Sequence, residues 1–355
     1  MLLSELRETI PPSFDFEIFR DGKFENLGYV SHLINTRLLL VFVASEKFLP
    51  LCLKNPLVSS VITDRDLANR FPDHIGVAVC TSPMPSFYAL HRILFEAGFY
   101  WRNFDTLVDP TATISSTAWI APQNVTIGAR TVIEPGVHIK ERSLIGADCC
   151  IRTGTIVASE GFEYKDFGHG MQLIPHGGGV EIQDHVNIHA NCVIDRGVFG
   201  ENTTIGSRSC LDNFVHLAHG VKIGRNCLIT AGVTFAAAVV VGDNSRIDPN
   251  ATLAHELVLE RGSYVTLGSV VVRNVSANER VTGNFAIDHR QFLRNWYKCP
   301  SSGFLRQWAG QIKRGSGASM WCGQAACRRC CKRRLAMVCR LILCRSAKMV
   351  EPCPQ

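Results

Sequence analysis

The sequence predicts a mainly β protein whose centre is a parallel β-helix built from hexapeptide repeats. Every sixth residue from Ile205 to Val271 is apolar, over twelve consecutive positions. A period of six fits neither the helical repeat nor the alternation of a flat strand. It is typical of a coil in which each short strand sends one side chain inward. Three hexapeptides close one triangular coil, so residues eighteen positions apart are expected to stack.

The repeat extends towards the N-terminus and is supported by the placement of glycines. Glycine has no Cβ and suits the close backbone approach between successive coils. Glycine directly follows the inward residue at Gly128, Gly146, Gly206, Gly224 and Gly242. The earlier inward positions are Ile114, Ile120, Ile127, Ile133, Ile139, Ile145, Ile151, Ile182, Ile188 and Ile194.

Two stretches interrupt the repeat. They are residues 157–181, rich in glycine, histidine and aromatic residues, and the segment from Asp195 to Thr204. Insertions in a solenoid emerge as loops on one face, which is often the functional face. The alternative is a tolerated surface excursion without a role.

Residues 1–106 lack the six-residue period and predict a small α/β domain. Apolar runs at 38–44, 59–63 and 75–80 indicate buried strands. A helix is expected from Ser86, with Leu90, Ile93, Leu94 and Ala97 on one face. A linker is expected at 105–110, followed by the coil at 107–276 and a C-terminal part at 277–355.

The net charge of +6 is concentrated at one end of the chain. Residues 295–355 carry twelve lysines and arginines against one acid, which leaves −5 for the rest. We expect an intracellular, cytoplasmic protein, because no secretory leader and no run of eighteen apolar residues is present. Eight of the fifteen cysteines lie in the tail and the others are scattered, which indicates reduced thiols.

Aromatic residues Phe42 and Phe48 lie at the end of the first apolar strand and just beyond it. An aromatic face can stack on a flat base or sugar. Ordinary core packing explains the same spacing, and both interpretations remain open from the residues alone.

The histidines of the coil are the candidates for proton transfer. His216 and His219 flank the inward Leu217, and histidine titrates near neutral pH. Asp212, in the preceding hexapeptide, is a candidate to orient His219 and fix its tautomer. The alternative is a solvated turn histidine. Zinc is the other possible partner of these histidines, with His185, His189, His216, His219 and His255 as candidates. Their spacing fits a three-histidine site poorly, and we expect no metal.

The order of these segments resembles a known family. The chain resembles the UDP-3-O-(3-hydroxyacyl)glucosamine N-acyltransferases of lipid A synthesis. The similarity covers the small N-terminal domain, the coil, the loop beginning ASEGFEY, the stretch HVNIHANCVIDRG and the segment LDNFVHLAHGVKIGRNCLITAGV. The resemblance implies a left-handed parallel β-helix, a homotrimer with active sites between neighbouring coils, and a C-terminal helical extension. It implies no cofactor and no nucleic-acid partner.

The resemblance assigns roles to individual residues. His219 matches the general base that deprotonates the sugar amine, and Asp212 matches the supporting aspartate. Ala237 matches the position whose backbone amide stabilises the oxyanion, where the family has glycine. Phe42, Ser45 and Phe48 match the uridine-binding residues, although the family more often has asparagine and tyrosine at the last two positions.

The C-terminal part bears on the acyl donor. The segment RVTGNFAIDHR resembles a closing motif of sugar acyltransferases, with Phe285 where proline is usual. The basic cluster of His289, Arg290, Arg294 and Lys298 favours an acidic acyl carrier protein as donor of the acyl chain to a UDP-linked amino sugar. A solvated basic helix explains the same charges. Two other functions stay open: an acetyl-CoA-dependent nucleotide-sugar N-acetyltransferase, and a non-catalytic β-helical trimer. Beyond Trp296 the resemblance ends, and Cys322, Cys327, Cys330 and Cys331 lack a paired zinc spacing.

Overall fold

The computed structural model describes residues 1–31 and 37–283. The C-terminal part predicted as a helical extension, including the basic cluster and the cysteine-rich tail, lies outside these residues. The predicted fold class is confirmed for the described chain, which is a parallel β-helix preceded by a small α/β domain.

The N-terminal domain is a five-stranded sheet with a helix packed on it. Its elements are β1 (Glu17–Arg20), β2 (Asn26–Leu27), β3 (Leu39–Val43), α1 (Leu49–Lys54), β4 (Val58–Thr63), β5 (Gly76–Val79) and α2 (Pro83–Glu96), with 3-10 helices at Ser4–Glu8, Glu46–Phe48 and Ala68–Arg70. In space the strands run β1-β5-β4-β3-β2, and only β1 is antiparallel to its neighbour. The predicted apolar runs form β3, β4 and β5, whose side chains are almost all buried.

Helix α2 begins three residues before the predicted Ser86. Its N-cap is Ser82, and Pro83 occupies the first turn. Proline is favoured there because its fixed φ suits a helix and its missing N–H has no partner in the first turn. Leu90 and Leu94 are fully buried, as the helical spacing predicts.

The coil follows as three parallel sheets, which we call the first, second and third faces. Within the described residues the first face consists of Leu107–Val108, Val125–Ile127, Ser143–Ile145, Val180–Ile182, Thr203–Ile205, Lys222–Ile223, Val240–Val241 and Val258–Leu259. The second face consists of Thr113–Ile114, Val132–Ile133, Cys150–Ile151, Asn187–Ile188, Cys210–Leu211, Leu228–Ile229, Arg246–Ile247, Tyr264–Val265 and Arg280–Val281. The third face consists of Trp119–Ile120, His138–Ile139, Ile156–Ser159, Val193–Asp195, His216–Leu217, Thr234–Phe235, Thr252–Leu253 and Val270–Val271.

The pairing register confirms the predicted stacking. Leu217 pairs with Phe235, which is one coil later on the third face. The inward side chains form one continuous buried core along the coil. A Cβ added at Gly206 would lie 2.5 Å from the carbonyl carbon of Gly224, so the glycines permit the coil-to-coil approach as predicted. The segment expected as a linker already contains the first coil strand, Leu107–Val108, because its backbone pairs with that of Thr126 and Ile127.

Both interruptions leave the coil at the same corner, between the third and first faces. The longer one contains a hairpin of Tyr164–Asp166 and Met171–Leu173. Phe199, from the shorter one, packs its ring edge-on against Tyr29 and Phe87 of the N-terminal domain. The insertions therefore fasten the N-terminal domain to this corner of the coil.

His91 of α2 is part of that contact and makes the stability of the fold depend on pH. Its ring is fully buried, with Nδ1 2.7 Å from the Tyr100 hydroxyl and Nε2 2.7 Å from the Pro175 carbonyl. Burial lowers the pKa of His91 from 6.5 to about 4. The unfolded chain therefore binds a proton that the folded chain does not, at pH values between these two.

Above pH 6.5 we expect the titration of His91 to leave the free energy of unfolding unchanged. As the pH drops from 6.5 towards 4, we expect that free energy to fall. The loss from this residue amounts to at most about 3 kcal/mol. Urea unfolding at several pH values checks it, with His91→Gln as the comparison because glutamine does not titrate. Parallel pH profiles for the two proteins would contradict the assignment.

Candidate active site

His219 lies in the turn that follows Leu217, at the corner where both insertions leave the coil. The turn is shaped by Gly220, whose φ of +71° favours glycine. The Gly220 N–H donates to the Thr203 hydroxyl at 2.9 Å, which ties the turn to the coil below. The side chain of His219 is 11% exposed, so it is not the solvated turn histidine of the alternative interpretation.

The longer insertion places a carboxylate next to His219. Glu163 Oε2 lies 3.7 Å from His219 Nε2. The other carboxylate oxygen, Oε1, accepts a hydrogen bond from the Tyr29 hydroxyl at 3.1 Å and pairs with Lys165 Nζ at 2.7 Å. Burial raises the pKa of Tyr29, so this phenol stays protonated and keeps donating. Oε1 is thus held by two donors while Oε2 faces His219.

A second histidine packs behind His219. The ring of His176 is fully buried and meets the His219 ring edge-on, with 5.4 Å between centroids. Its Nδ1 lies 3.0 Å from the Ile174 carbonyl and its backbone N–H donates to Glu160. A Cβ at Gly161 would lie 2.6 Å from His176 Nε2 and 3.2 Å from His219 Cβ, so only glycine lets the loop pass here.

The base of this loop is held by an ion pair. Glu160 accepts from Arg196 Nη2 at 2.9 Å, which joins the longer insertion to the shorter one. Hydrogen bonding from His176 lowers the pKa of Glu160 to about 2, with Arg196 acting in the same direction. The carboxylate therefore stays ionised at neutral pH and keeps both insertions together.

Ala237 lies one coil above His219, as the eighteen-residue spacing predicts. The Ala238 N–H donates to the His219 carbonyl at 3.0 Å, which joins the two turns. In the described chain the Ala237 N–H has no acceptor. At equivalent turn positions a side chain accepts a hydrogen bond from the backbone N–H. The Asp243 carboxylate accepts from the Arg225 N–H at 2.7 Å, and the Gln183 amide oxygen accepts from the Ser207 N–H at 3.1 Å. A backbone donor is therefore available above His219.

Asp212 has other partners in this chain than the predicted one. Its carboxylate accepts from the backbone and side-chain nitrogens of Asn213 and lies 3.9 Å from His189 Nδ1. The carboxylate beside His219 is Glu163, and His216 pairs instead with Asp195 at 3.2 Å. The orienting role of Asp212 stays a prediction.

The three predicted uridine contacts differ in their surroundings. Phe42 is half-buried and packs against Phe87 and Tyr88, with ring centroids 5.1 and 6.1 Å apart. Phe48 ends a 3-10 helix and is 42% exposed, with Lys47 Nζ 4.7 Å from its ring centroid. Ser45 caps that helix through its carbonyl, which accepts from the Phe48 N–H. Only Phe48 presents a free aromatic face.

Sequence reasoning missed Glu163, His176 and the Glu160–Arg196 pair. All four residues lie in or beside the insertions, where no period predicts which side chains point towards the coil. The available signal was the concentration of polar residues in the interruptions. In the described residues no three metal-ligating side chains come together. No helix in that same part of the chain is long and apolar enough to cross a membrane.

Two family models match the coil. Residues 202–237 match the bacterial transferase hexapeptide with six repeats, and residues 123–147 match the hexapeptide repeat of succinyl-transferase. Among solved structures, the UDP-N-acetylglucosamine O-acyltransferase of Moraxella catarrhalis aligns with a TM-score of 0.41 and 22% identity, over 59% of this chain and 90% of that one.

Curated relatives are more informative. The UDP-3-O-acylglucosamine N-acyltransferase of Caulobacter sp. (strain K31) is 36% identical over 152 residues, which is 43% of this chain but only 44% of that protein. The enzyme of the same name from Maricaulis maris (strain MCS10) is 33% identical over 260 residues, covering 66% of this chain and 74% of that protein. The chain belongs to the UDP-3-O-acylglucosamine N-acyltransferase family of hexapeptide-repeat acyltransferases.

Proposed function

We propose that the chain transfers a 3-hydroxyacyl group from an acyl carrier protein to the amine of a UDP-linked 3-O-acylglucosamine in lipid A synthesis. The observation that carries the proposal is the pairing of a shielded histidine with an available backbone N–H one coil above it. Those two groups are the minimum for acyl transfer to an amine, which needs a proton acceptor and an oxyanion donor. The relatives are named UDP-3-O-acylglucosamine N-acyltransferases, which supports a UDP-3-O-acylglucosamine as the substrate that receives the acyl group.

The reaction follows from these positions. The ammonium first loses one proton to solvent. The amine nitrogen then attacks the thioester carbonyl while His219 takes a second proton from it, and the C–N bond forms. The carbonyl oxygen becomes an oxyanion and accepts a hydrogen bond from the Ala237 N–H. The C–S bond then breaks, and the sulfur leaves as a thiol after receiving a proton from the His219 imidazolium. Protons and electrons balance without a metal or redox cofactor.

The surroundings of the site fit a water-excluding role for the insertions. His219 and Glu163 are 11% and 16% exposed, and the loop beside them is held by the Glu160–Arg196 ion pair. Excluding water strengthens the electrostatic interactions of the oxyanion and limits hydrolysis of the thioester. We propose that the chain forms a homotrimer, and that the carboxylate of Asp212 in one chain orients His219 of a neighbouring chain across the interface.

The trimer is supported by apolar side chains that remain outside the coil core. Trp119, Phe214 and Val270 are 48%, 64% and 59% exposed in the single chain. Trp119 and Val270 belong to the two end strands of the third face, and Phe214 lies just before another of its strands, so exposed apolar side chains occur along the length of this face. A cytoplasmic location belongs to the same proposal, because the donor and the nucleotide sugar are expected there.

Mass spectrometry of the products formed from a panel of UDP-amino sugars and acyl thioesters tests the proposal. N-acylation of the 3-O-acylated sugar by 3-hydroxyacyl carrier protein is the expected result. Better use of acetyl-CoA with another UDP-amino sugar would replace it by an N-acetyltransferase. No product from any pair would favour a non-catalytic trimer.

We propose that Phe48 binds the uridine end of the substrate, together with Phe42 and Ser45. Removing the exposed ring in Phe48→Ala should weaken UDP-sugar binding by about 0.5–1.5 kcal/mol, the usual worth of an aromatic contact. Calorimetric titration with the UDP-sugar measures this.

The matched comparison is Phe42→Ala, which removes the same side chain from a packed position. Because Phe42 contacts Phe87 and Tyr88, this change should lower the melting temperature more than Phe48→Ala does. Unchanged binding in a folded Phe48→Ala protein would remove this residue from the nucleotide site.

A further inference from the structure

We propose that Glu163 binds the ammonium group of the acceptor and thereby selects an amine over a hydroxyl; this inference rests on the proposed function. Glu163 reaches the site from the longer insertion, and its Oε2 lies 3.7 Å from His219 Nε2. These two atoms are the hydrogen-bond acceptors that the ammonium nitrogen of the substrate would meet.

The distance between the two acceptors suits one nitrogen. A nitrogen about 2.9 Å from both atoms sees them about 80° apart, and two N–H groups of an ammonium diverge by about 109°. Each hydrogen bond would bend by about 15°, which is well within good geometry. A hydroxyl carries one hydrogen and no charge, so it can satisfy only one of the two acceptors.

The carboxylate is held in place for this task. Tyr29 and Lys165 both engage Oε1, at 3.1 and 2.7 Å, and they leave Oε2 directed towards His219. The Glu163 side chain is 16% exposed, so water screens its charge little. A hydrogen bond between charged groups in such a site is roughly twice as strong as a neutral one.

Lys165 engages the other oxygen of the carboxylate. Its ammonium pairs with Oε1 at 2.7 Å and lies 5.8 Å from the centroid of the Tyr88 ring. The proposed arrangement therefore has two cations on one carboxylate, one fixed by the fold and one brought by the substrate.

The loop backbone brings Glu163 to this position because of Gly161. Any side chain at Gly161 would collide with His176 or displace His219, since its Cβ would lie 2.6 Å from His176 Nε2. Two residues later the chain presents Glu163 to the histidine. The insertion thus contributes an acceptor-binding residue and not only a cover.

The test measures acceptor binding without donor, so that no turnover occurs. Calorimetric titrations compare UDP-3-O-acylglucosamine with its analogue that carries a hydroxyl in place of the amine. For Glu163→Gln we expect about 10- to 100-fold weaker binding of the amine and less than about twofold change for the hydroxyl analogue. Glu163→Asp keeps the charge and should retain part of the preference for the amine.

Glu8→Gln is the control for loss of a carboxylate, because Glu8 is exposed and lies in the N-terminal domain. Equal loss of both ligands in Glu163→Gln would show a structural role and overturn the inference, as would an unchanged preference. If glutamine unfolds the loop, a Glu163→Asp protein that binds both ligands equally well overturns it. Product formation by the native chain, measured separately, distinguishes failure of this inference from failure of the proposed function.

Discussion

Replacing His219 by alanine is expected to lower kcat by about 10²- to 10⁴-fold, the usual worth of a positioned general base. In the proposed reaction His219 takes the proton from the amine and returns a proton to the leaving sulfur. Its side chain contributes no inward contact of the coil core, because the inward residue of this hexapeptide is Leu217. The backbone link from Ala238 to the His219 carbonyl survives the substitution.

Steady-state rates at saturating substrate, with a thermal melt of each protein, provide the measurement. His185→Ala is the matched control, because that histidine also lies in a coil turn but is 46% exposed and away from the insertions. We expect the control to keep its rate. Near-native turnover in a folded His219→Ala protein would reject the base assignment.

Replacing Ala237 by proline is expected to lower kcat by about 10²- to 10³-fold, because proline removes the N–H that we propose stabilises the oxyanion. The substitution is unusually selective for the donor. The Ala237 N–H has no acceptor in the described chain, so no structural hydrogen bond is lost. Proline also fits this turn, since the coil has Pro122, Pro135 and Pro249 at equivalent positions.

The control is Ala231→Pro, which makes the same change at another corner of the coil, directly below Pro249. Both variants should melt within a few degrees of the native protein, and only Ala237→Pro should be slow. The Michaelis constant for the acceptor should change little, because the hydrogen bond forms in the transition state. Equal rates for the two variants would show that the Ala237 amide takes no part.

The repeat explains why the stacking of coil residues around the candidate site was predictable from sequence. In a coil each residue contacts its equivalents one turn above and below, so a local period determines the long-range neighbours. The position of Ala237 above His219 follows from that rule, and the pairing of Leu217 with Phe235 confirms the register. Three of the five strands of the N-terminal sheet, β3, β4 and β5, followed similarly from short apolar runs.

The interruptions explain what was not predictable. A loop without a period can place any of its side chains at the coil, and the contact between Glu163 and His219 joins residues far apart in sequence. The same holds for Phe42. Its half-buried ring packs against Phe87 and Tyr88 of helix α2, which follows two further strands in the chain. Pattern alone could not decide between a stacking platform and core for that residue.

The sequence by itself therefore determined the coil, its register and the stacking of His219 under Ala237, because those contacts repeat with the chain. The tertiary structure alone decided which carboxylate faces the histidine and which aromatic ring stays exposed. It did so because insertion loops are positioned by anchors such as Glu160–Arg196 and by the absence of a side chain at Gly161. These anchors act between segments that no sequence period connects.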